Sequence, residues 1–177
     1  MAEPTVRAMA RQEIAIVSMA ARGRDGAALA ELARRTLGVT LPKPGKWAAA
    51  GELCFICTAP DQWLVLREGD DGALPGALAA MEDAALLIEL SGSRVAVRVS
   101  GLAARAVLAK VLPIDLHPRA MQPGDAAATL AAHLPVLVCQ RDDEPTYDLI
   151  CASSFAGSFY RSLELAGAPV SGSPEAV

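Results

Sequence analysis

The chain has 177 residues, is 53% hydrophobic by residue type yet only 4% aromatic, and carries a formal net charge of −4. A chain of this length buries roughly two thirds of its unfolded surface and folds without disulfide or metal staples. Its arginines and lysines are scattered singly or in pairs, so it lacks the basic face that phosphate backbones require, and nucleic acid is not an expected partner. A membrane is not expected either. The longest uncharged run, between Asp125 and Arg141, is interrupted by His133 and Pro135 and falls short of the roughly 20 apolar residues that a bilayer-crossing helix needs. Glu3, Arg7, Arg11 and Glu13 precede an apolar stretch that alternates like a strand, unlike a secretion signal. With Cys54, Cys57, Cys139 and Cys151 and no other sign of an oxidising compartment, the expectation is a cytoplasmic chain with reduced thiols. The apolar surplus is mostly alanine, which favours helices and close packing and leaves apolar surface for a partner to cover.

In chain order, a first strand is expected at Glu13 to Ala20, then Asp25 as an N-cap. Leu29, Leu32, Ala33 and Leu37 follow at helical spacing, with Gly38 placed to end the helix. A Pro/Gly loop, Leu41 to Gly51, leads to a strand at Leu53 to Thr58. Ala59-Pro60-Asp61-Gln62 suits a type I turn, and Trp63 to Arg67 returns. Asp70-Asp71-Gly72 opens a second helix at about Leu74 to Asp83, and Leu86 to Leu90 is a strand. After Ser91-Gly92-Ser93, Val95, Val97 and Val99 alternate with Arg94, Ala96, Arg98 and Ser100, the clearest half-buried strand in the sequence. Ser100 is expected to cap a helix at about Leu102 to Val111, and an irregular segment with Pro113, Pro118 and Pro123 follows. Strands are expected at Ala126 to Ala132, Pro135 to Arg141 and Tyr147 to Cys151, with an acidic turn at Asp142-Asp143-Glu144. Ser153 or Ser154 should cap a last helix reaching Ala166, before a frayed tail from Pro169 to Val177. This order predicts an α+β fold of two pseudo-symmetric βαββαβ (ferredoxin-like) halves, about 13–90 and 93–167, in one domain over 1–168 with a flexible tail over 169–177.

Known chemistry-bearing motifs fail in turn. No GxGxxG follows a strand; at Gly45-Lys46 a phosphate loop would need glycine where Thr40 stands and Ser or Thr where Trp47 stands. No GxSxG elbow exists, since Glu89 occupies the first glycine position around Ser91. Cys54-Phe55-Ile56-Cys57 is a CxxC, but inside a predicted strand its two side chains point to opposite faces; buried structural thiols are the favoured reading over a metal or redox pair. Asp115 and His117 have two readings, an acid/base couple or two groups that hydrogen-bond a rigid loop. No nucleophile accompanies them in sequence. The two Pro-rich loops stand out as candidate interface, with Lys43, Lys46 and Trp47 in the first and Asp115, His117 and Arg119 in the second. Trp47 is either an interface anchor or a tryptophan folded back onto its own domain. No catalytic, cofactor-binding or metal-binding residue is assigned.

The stretch Ser100-Gly101-Leu102-Ala103-Ala104-Arg105-Ala106-Val107-Leu108-Ala109-Lys110, running into Pro113-Ile114-Asp115-Leu116-His117-Pro118-Arg119-Ala120 and Pro123-Gly124, resembles the gamma subunit of heterotetrameric sarcosine oxidase. Pro60-Asp61-Gln62-Trp63-Leu64 and Pro145-Thr146-Tyr147-Asp148-Leu149 are similar to further motifs of that family, so the likeness spans about residues 50 to 166. The resemblance implies an aminomethyltransferase-like, folate-binding-type fold in a complex that demethylates sarcosine oxidatively to glycine, with hydrogen peroxide and formaldehyde or methylene-tetrahydrofolate as co-products. It implies alpha, beta and delta subunits as partners, chiefly alpha. FAD, FMN, NAD, tetrahydrofolate and zinc would sit on those chains and none on this one. The chain is too short for a free-standing aminomethyltransferase. It also lacks the Lys-Gly-Cys-Tyr motif of the folate-dependent iron–sulfur maintenance proteins. A rival reading is an independent folate-binding or one-carbon protein, for which Glu89, Asp115 and Asp148 are the candidate pterin partners.

Overall fold

The structure, a computed structural model, describes residues 5–11, 14–23, 26–68 and 76–172. In chain order the elements are β1 (Arg7–Ala10), β2 (Ile14–Ala21), α1 (Ala27–Leu37), β3 (Trp47–Ala50), β4 (Leu53–Ala59), β5 (Gln62–Glu68), α2 (Gly76–Ala79) and β6 (Ala85–Glu89). After a 3₁₀ turn come β7 (Arg94–Ser100), α3 (Ala104–Leu108), β8 (Ala126–Ala131), β9 (Leu134–Asp142), β10 (Thr146–Ala152), α4 (Ala156–Ala166) and β11 (Val170–Ser171). The fold is α+β, and the chain divides into two compact units. One is built from the described residues of Glu13–Ser91, the other from those of Met1–Gln12 and Gly92–Val177. No helix among the described residues is long and apolar enough to cross a membrane.

In the Glu13–Ser91 unit the strand order is β3-β4-β5-β2-β6, with every neighbouring pair antiparallel. Strands β2 and β4 flank β5 and therefore run parallel to each other, joined through α1. This is the split βαβ arrangement. The apolar stripe of α1 explains its place: Leu29 and Ala33 are buried, and with Leu78 and Met81 they cover Met19, Phe55, Cys57, Trp63 and Val65. Gly38 ends α1 at φ 67°, its N–H donating to the Arg34 carbonyl, which is the left-handed cap a glycine accepts at least cost.

The other unit has the order β11-β1-β7-β10-β9-β8. Its core comes from alternate residues of the strands (Val97, Val99, Val136, Val138, Tyr147, Leu149), packed under Leu108, Phe159 and Leu163. The central trio β7-β10-β9 repeats β2-β5-β4. The strand beside β7, however, is β1, which arrives from the N-terminal end and pairs antiparallel with Ala8 opposite Val99. Strand β11, after α4, lies outside β1 and parallel to it. Gly101 makes this entry possible: at φ 108° it brings its backbone against Thr5, and a Cβ there would run into the Thr5 carbonyl.

Several expectations need correction. Strand β1 was not foreseen, and Val170–Ser171, expected in a frayed tail, is a sheet strand. The loop over 41–51 contains β3. Asp61 sits at φ 57°, which a type I turn does not allow at its third position. Ser100 closes β7 and does not cap: α3 begins at Ala104 with no side-chain cap and ends at Leu108, after which hydrogen-bonded turns continue to Leu112. Likewise α4 begins at Ala156 after a 3₁₀ turn over Ser153–Phe155, with neither serine as a side-chain cap. The second helix is only Gly76–Ala79 within the described residues; Asp70-Asp71-Gly72 and the Asp25 cap lie outside them.

Candidate interface loops

Residues 112–125 form no helix or strand, yet their backbone is well satisfied. Leu112, Leu116 and Met121 are buried and pin the loop to the core. Between these anchors Asp115 Oδ1 accepts the N–H of His117 at 2.8 Å, and His117 Nδ1 accepts the N–H of Arg119 at 3.2 Å. The His117 carbonyl takes the N–H groups of Ala120 and Met121, and Asp125 Oδ2 takes that of Gln122 at 2.8 Å. Side chains that bond their own loop in this way stand in for a sheet ladder. Of the two readings of Asp115 and His117, the geometry selects the loop-shaping one. The carboxylate addresses main chain and not imidazole, and since Nδ1 is an acceptor, the neutral ring carries its proton on Nε2. Asp115, His117 and Arg119 are all exposed and are brought together on one ordered loop.

The other loop belongs to the Glu13–Ser91 unit. Leu41 and Pro42 are buried, and the Pro42 carbonyl accepts Trp63 Nε1–H at 2.9 Å, a partner that sequence reasoning missed. The N–H of Lys46 donates to the Lys43 carbonyl at 3.0 Å, closing a turn over Pro44-Gly45 that leaves both lysines exposed. Trp47 opens edge strand β3 opposite Ile56, half-buried on the sheet face away from α1. It neither projects as a free loop residue nor disappears into the core.

The cysteine pair behaves as strand geometry requires. Cys57 joins the core under α1 with its thiol donating to the Ala59 carbonyl at 3.1 Å, while Cys54 lies on the opposite face; both are buried. Each carboxylate considered for a pterin already has a protein partner. Glu89 accepts the N–H of Ser91 at 2.9 Å, and the Ser91 contacts hold its carboxyl below the usual range. Asp115 shapes its loop. Asp148, on β10, is gripped by Arg98 on β7, with Nε–Oδ1 at 2.7 Å and Nη2–Oδ2 at 2.8 Å. Arg141 at 3.5 Å and Arg11 at 4.0 Å complete a cluster around a carboxylate only 6% exposed. This cluster was missed from sequence. The alternation of β7 placed Arg98 off the core face, but the register that sets it opposite Asp148 cannot be read from either strand alone.

A model of the "Sarcosine oxidase, gamma subunit family" matches residues 22–169. The sarcosine oxidase subunit gamma of Arthrobacter sp. is 33% identical over 149 residues, covering 82% of this chain and 73% of that one. Its counterpart in Corynebacterium sp. (strain P-1) is 35% identical over 130 residues, covering 72% and 62%. A chain of the heterotetrameric sarcosine oxidase from Corynebacterium sp. U-96 superposes with a TM-score of 0.78 at 25% identity, covering 94% of this chain and 85% of that one. The glycine cleavage system aminomethyltransferase T of Bartonella henselae shares the fold, with a TM-score of 0.65 at 15% identity over 89% of this chain and 45% of the larger protein. The match over residues 22–169, together with relatives at a third identity, makes the chain a member of the sarcosine oxidase gamma subunit family.

Proposed function

We propose that the chain is a non-catalytic subunit of a cytoplasmic heterotetrameric sarcosine oxidase, serving assembly of a complex that converts sarcosine to glycine with hydrogen peroxide and formaldehyde or methylene-tetrahydrofolate. The observation that carries this reading is the superposition, over 94% of its length, on a chain of such a complex. The candidate contacts with the neighbouring alpha, beta and delta subunits, chiefly alpha, are Lys43, Lys46 and Trp47 of one unit and Asp115, His117 and Arg119 of the other. Ordered, exposed groups on buried anchors suit an interface, because little conformational entropy is lost when they dock. FAD, FMN, NAD, tetrahydrofolate and zinc are placed on the partner chains. The engagement of Glu89, Asp115 and Asp148 by protein groups weighs against the rival folate-binding reading. Co-expression of the other three subunits with and without this chain tests the proposal. Without it, the complex should fail to assemble to full sarcosine-oxidising activity; normal assembly and turnover in its absence would end the proposal.

A further inference from the structure

The repeat between the two units breaks at one sheet edge. Strands β2-β5-β4 match β7-β10-β9, so β6 beside β2 takes the place of β1 beside β7. The chain covers the outer edge of β1 itself, with β11 pairing parallel at Ala8↔Val170 and Met9↔Ser171. No strand among the described residues pairs with the outer edge of β6. The backbone there is ready for one. Arg22 N–H donates to the Ala84 carbonyl and Leu90 N–H to the Ile16 carbonyl, so alternation along the antiparallel ladder turns the N–H and C=O of Leu87 and Glu89 away from β2. The outward groups of Ala85 are already bonded: its N–H donates to the Met81 carbonyl at 2.8 Å, and its carbonyl accepts Arg22 Nε–H at 3.1 Å. Leu87 packs against the core, whereas Leu86 and Ile88, on the other face of the sheet, are 47% and 49% exposed. Sheet edges are usually blunted by lysine, proline or a bulge, and β6 carries none of these along its register from Ala21↔Ala85 to Val17↔Glu89. Exposed Glu82 and Asp83 precede the strand and exposed Glu89 ends it; the cation beside them is Arg22, whose Nε–H also reaches the Glu82 carbonyl at 3.0 Å.

We propose that an extended segment of a neighbouring subunit completes this edge: it adds a strand along Leu87 and Glu89, lays apolar side chains on Leu86 and Ile88, and carries lysine or arginine at its ends. Strand addition supplies main-chain bonds for affinity and alternate side chains for specificity, and the acidic residues at both ends of β6 fix the register of a basic-flanked segment. A second copy of this chain is the poorer occupant, because antiparallel self-pairing of β6 brings Glu89 of each copy towards Glu82 and Asp83 of the other, and facing like charges oppose such a pair. The inference rests on the assembly reading and names one surface for it.

The test is amide hydrogen exchange and photo-crosslinking in the complex co-expressed with the other three subunits. Exchange at Leu87 and Glu89 should slow at least about tenfold between the isolated full chain and the complex, while Leu86 and Ile88, already bonded to β2, should change less. A benzophenone side chain introduced at Ile88 should crosslink to a partner subunit, at an apolar stretch flanked by lysine or arginine. Leu86→Lys combined with Ile88→Lys should weaken capture of the other subunits at least about tenfold. The same pair should leave the Tm of the isolated chain unchanged, because both side chains stand exposed. Unchanged exchange at Leu87 and Glu89 in an assembled complex, a crosslink to a second copy of this chain, or lysine variants that assemble as tightly as the wild type would each overturn the proposal and leave the assembly reading standing. A wild-type chain that fails to bind the other subunits would overturn both.

Discussion

Replacing Asp148 by asparagine removes the negative charge from the arginine cluster while keeping nearly the same volume. The wild-type carboxylate, 6% exposed, receives two short bonds from Arg98 at 2.7 and 2.8 Å, with Arg141 and Arg11 at 3.5 and 4.0 Å. Hydrogen bonds to charged groups contribute about 1.5–3 kcal/mol each, so two give about 3–6 kcal/mol. The arginine side chains retain 29%, 17% and 18% exposure, so water can relieve part of the lost interaction. The lower end, about 3 kcal/mol, is therefore expected, in line with the cost of breaking a buried pair from one side. Against a total stability of about 5–15 kcal/mol, that is a large fraction. Urea unfolding followed by circular dichroism should show the midpoint falling with little change in slope. Arg98→Met combined with Asp148→Leu should recover part of the loss, because the arginine closest to the carboxylate is removed with it and only the more distant Arg141 and Arg11 lose their contact. A loss below about 1 kcal/mol in Asp148→Asn would refute the reasoning, since a carboxylate so enclosed cannot be neutralised that cheaply unless the arginines are already compensated elsewhere.

Gly101→Ala should cost about 2–4 kcal/mol, because φ 108° is strained for alanine and the new methyl meets the Thr5 carbonyl; hydrogen exchange should show lost protection of the β1 amides. Ala132 and His133 join β8 to β9 at φ 46° and 73°, the mirror-image turn that favours asparagine and glycine, so His133→Gly should stabilise by about 0.5–1 kcal/mol in thermal unfolding. Burial raises the Cys151 thiol from 9.0 to about 11 and also pushes up Cys57. Both should resist dithionitrobenzoate at pH 8 until the chain unfolds. A thiol harder to ionise in the folded state leaves its contribution intact below pH 9.0, and that contribution is lost as pH rises towards about 11. A stability profile flat through that alkaline window would contradict the assignment.

What the sequence disclosed, it disclosed through periodicity. The stripe Leu29, Ala33 and Leu37 with Gly38 marked α1 to within two residues, and the Val95-Val97-Val99 alternation marked β7 in full. Strand β1 escaped because four residues, Arg7 to Ala10, carry too little pattern, and their partner β7 lies far along the chain. Strand β3 escaped because alanine has weak strand preference, so Trp47-Ala48-Ala49-Ala50 read as loop. Among the candidate interface groups, the ordering of Asp115 and His117 was legible because prolines frame short polar side chains that bond nearby backbone. The Asp148 cluster was not. It joins strands through a register that composition and spacing do not encode.

The assembly role itself is tested most directly by tagging this chain in its native host and identifying what co-purifies. The account predicts three further subunits in equal stoichiometry and sarcosine-dependent peroxide formation in the eluate, with both diminished when Arg119, His117 and Lys43 are replaced by glutamate, alanine and glutamate. Recovery of the chain alone from cells actively oxidising sarcosine would contradict it.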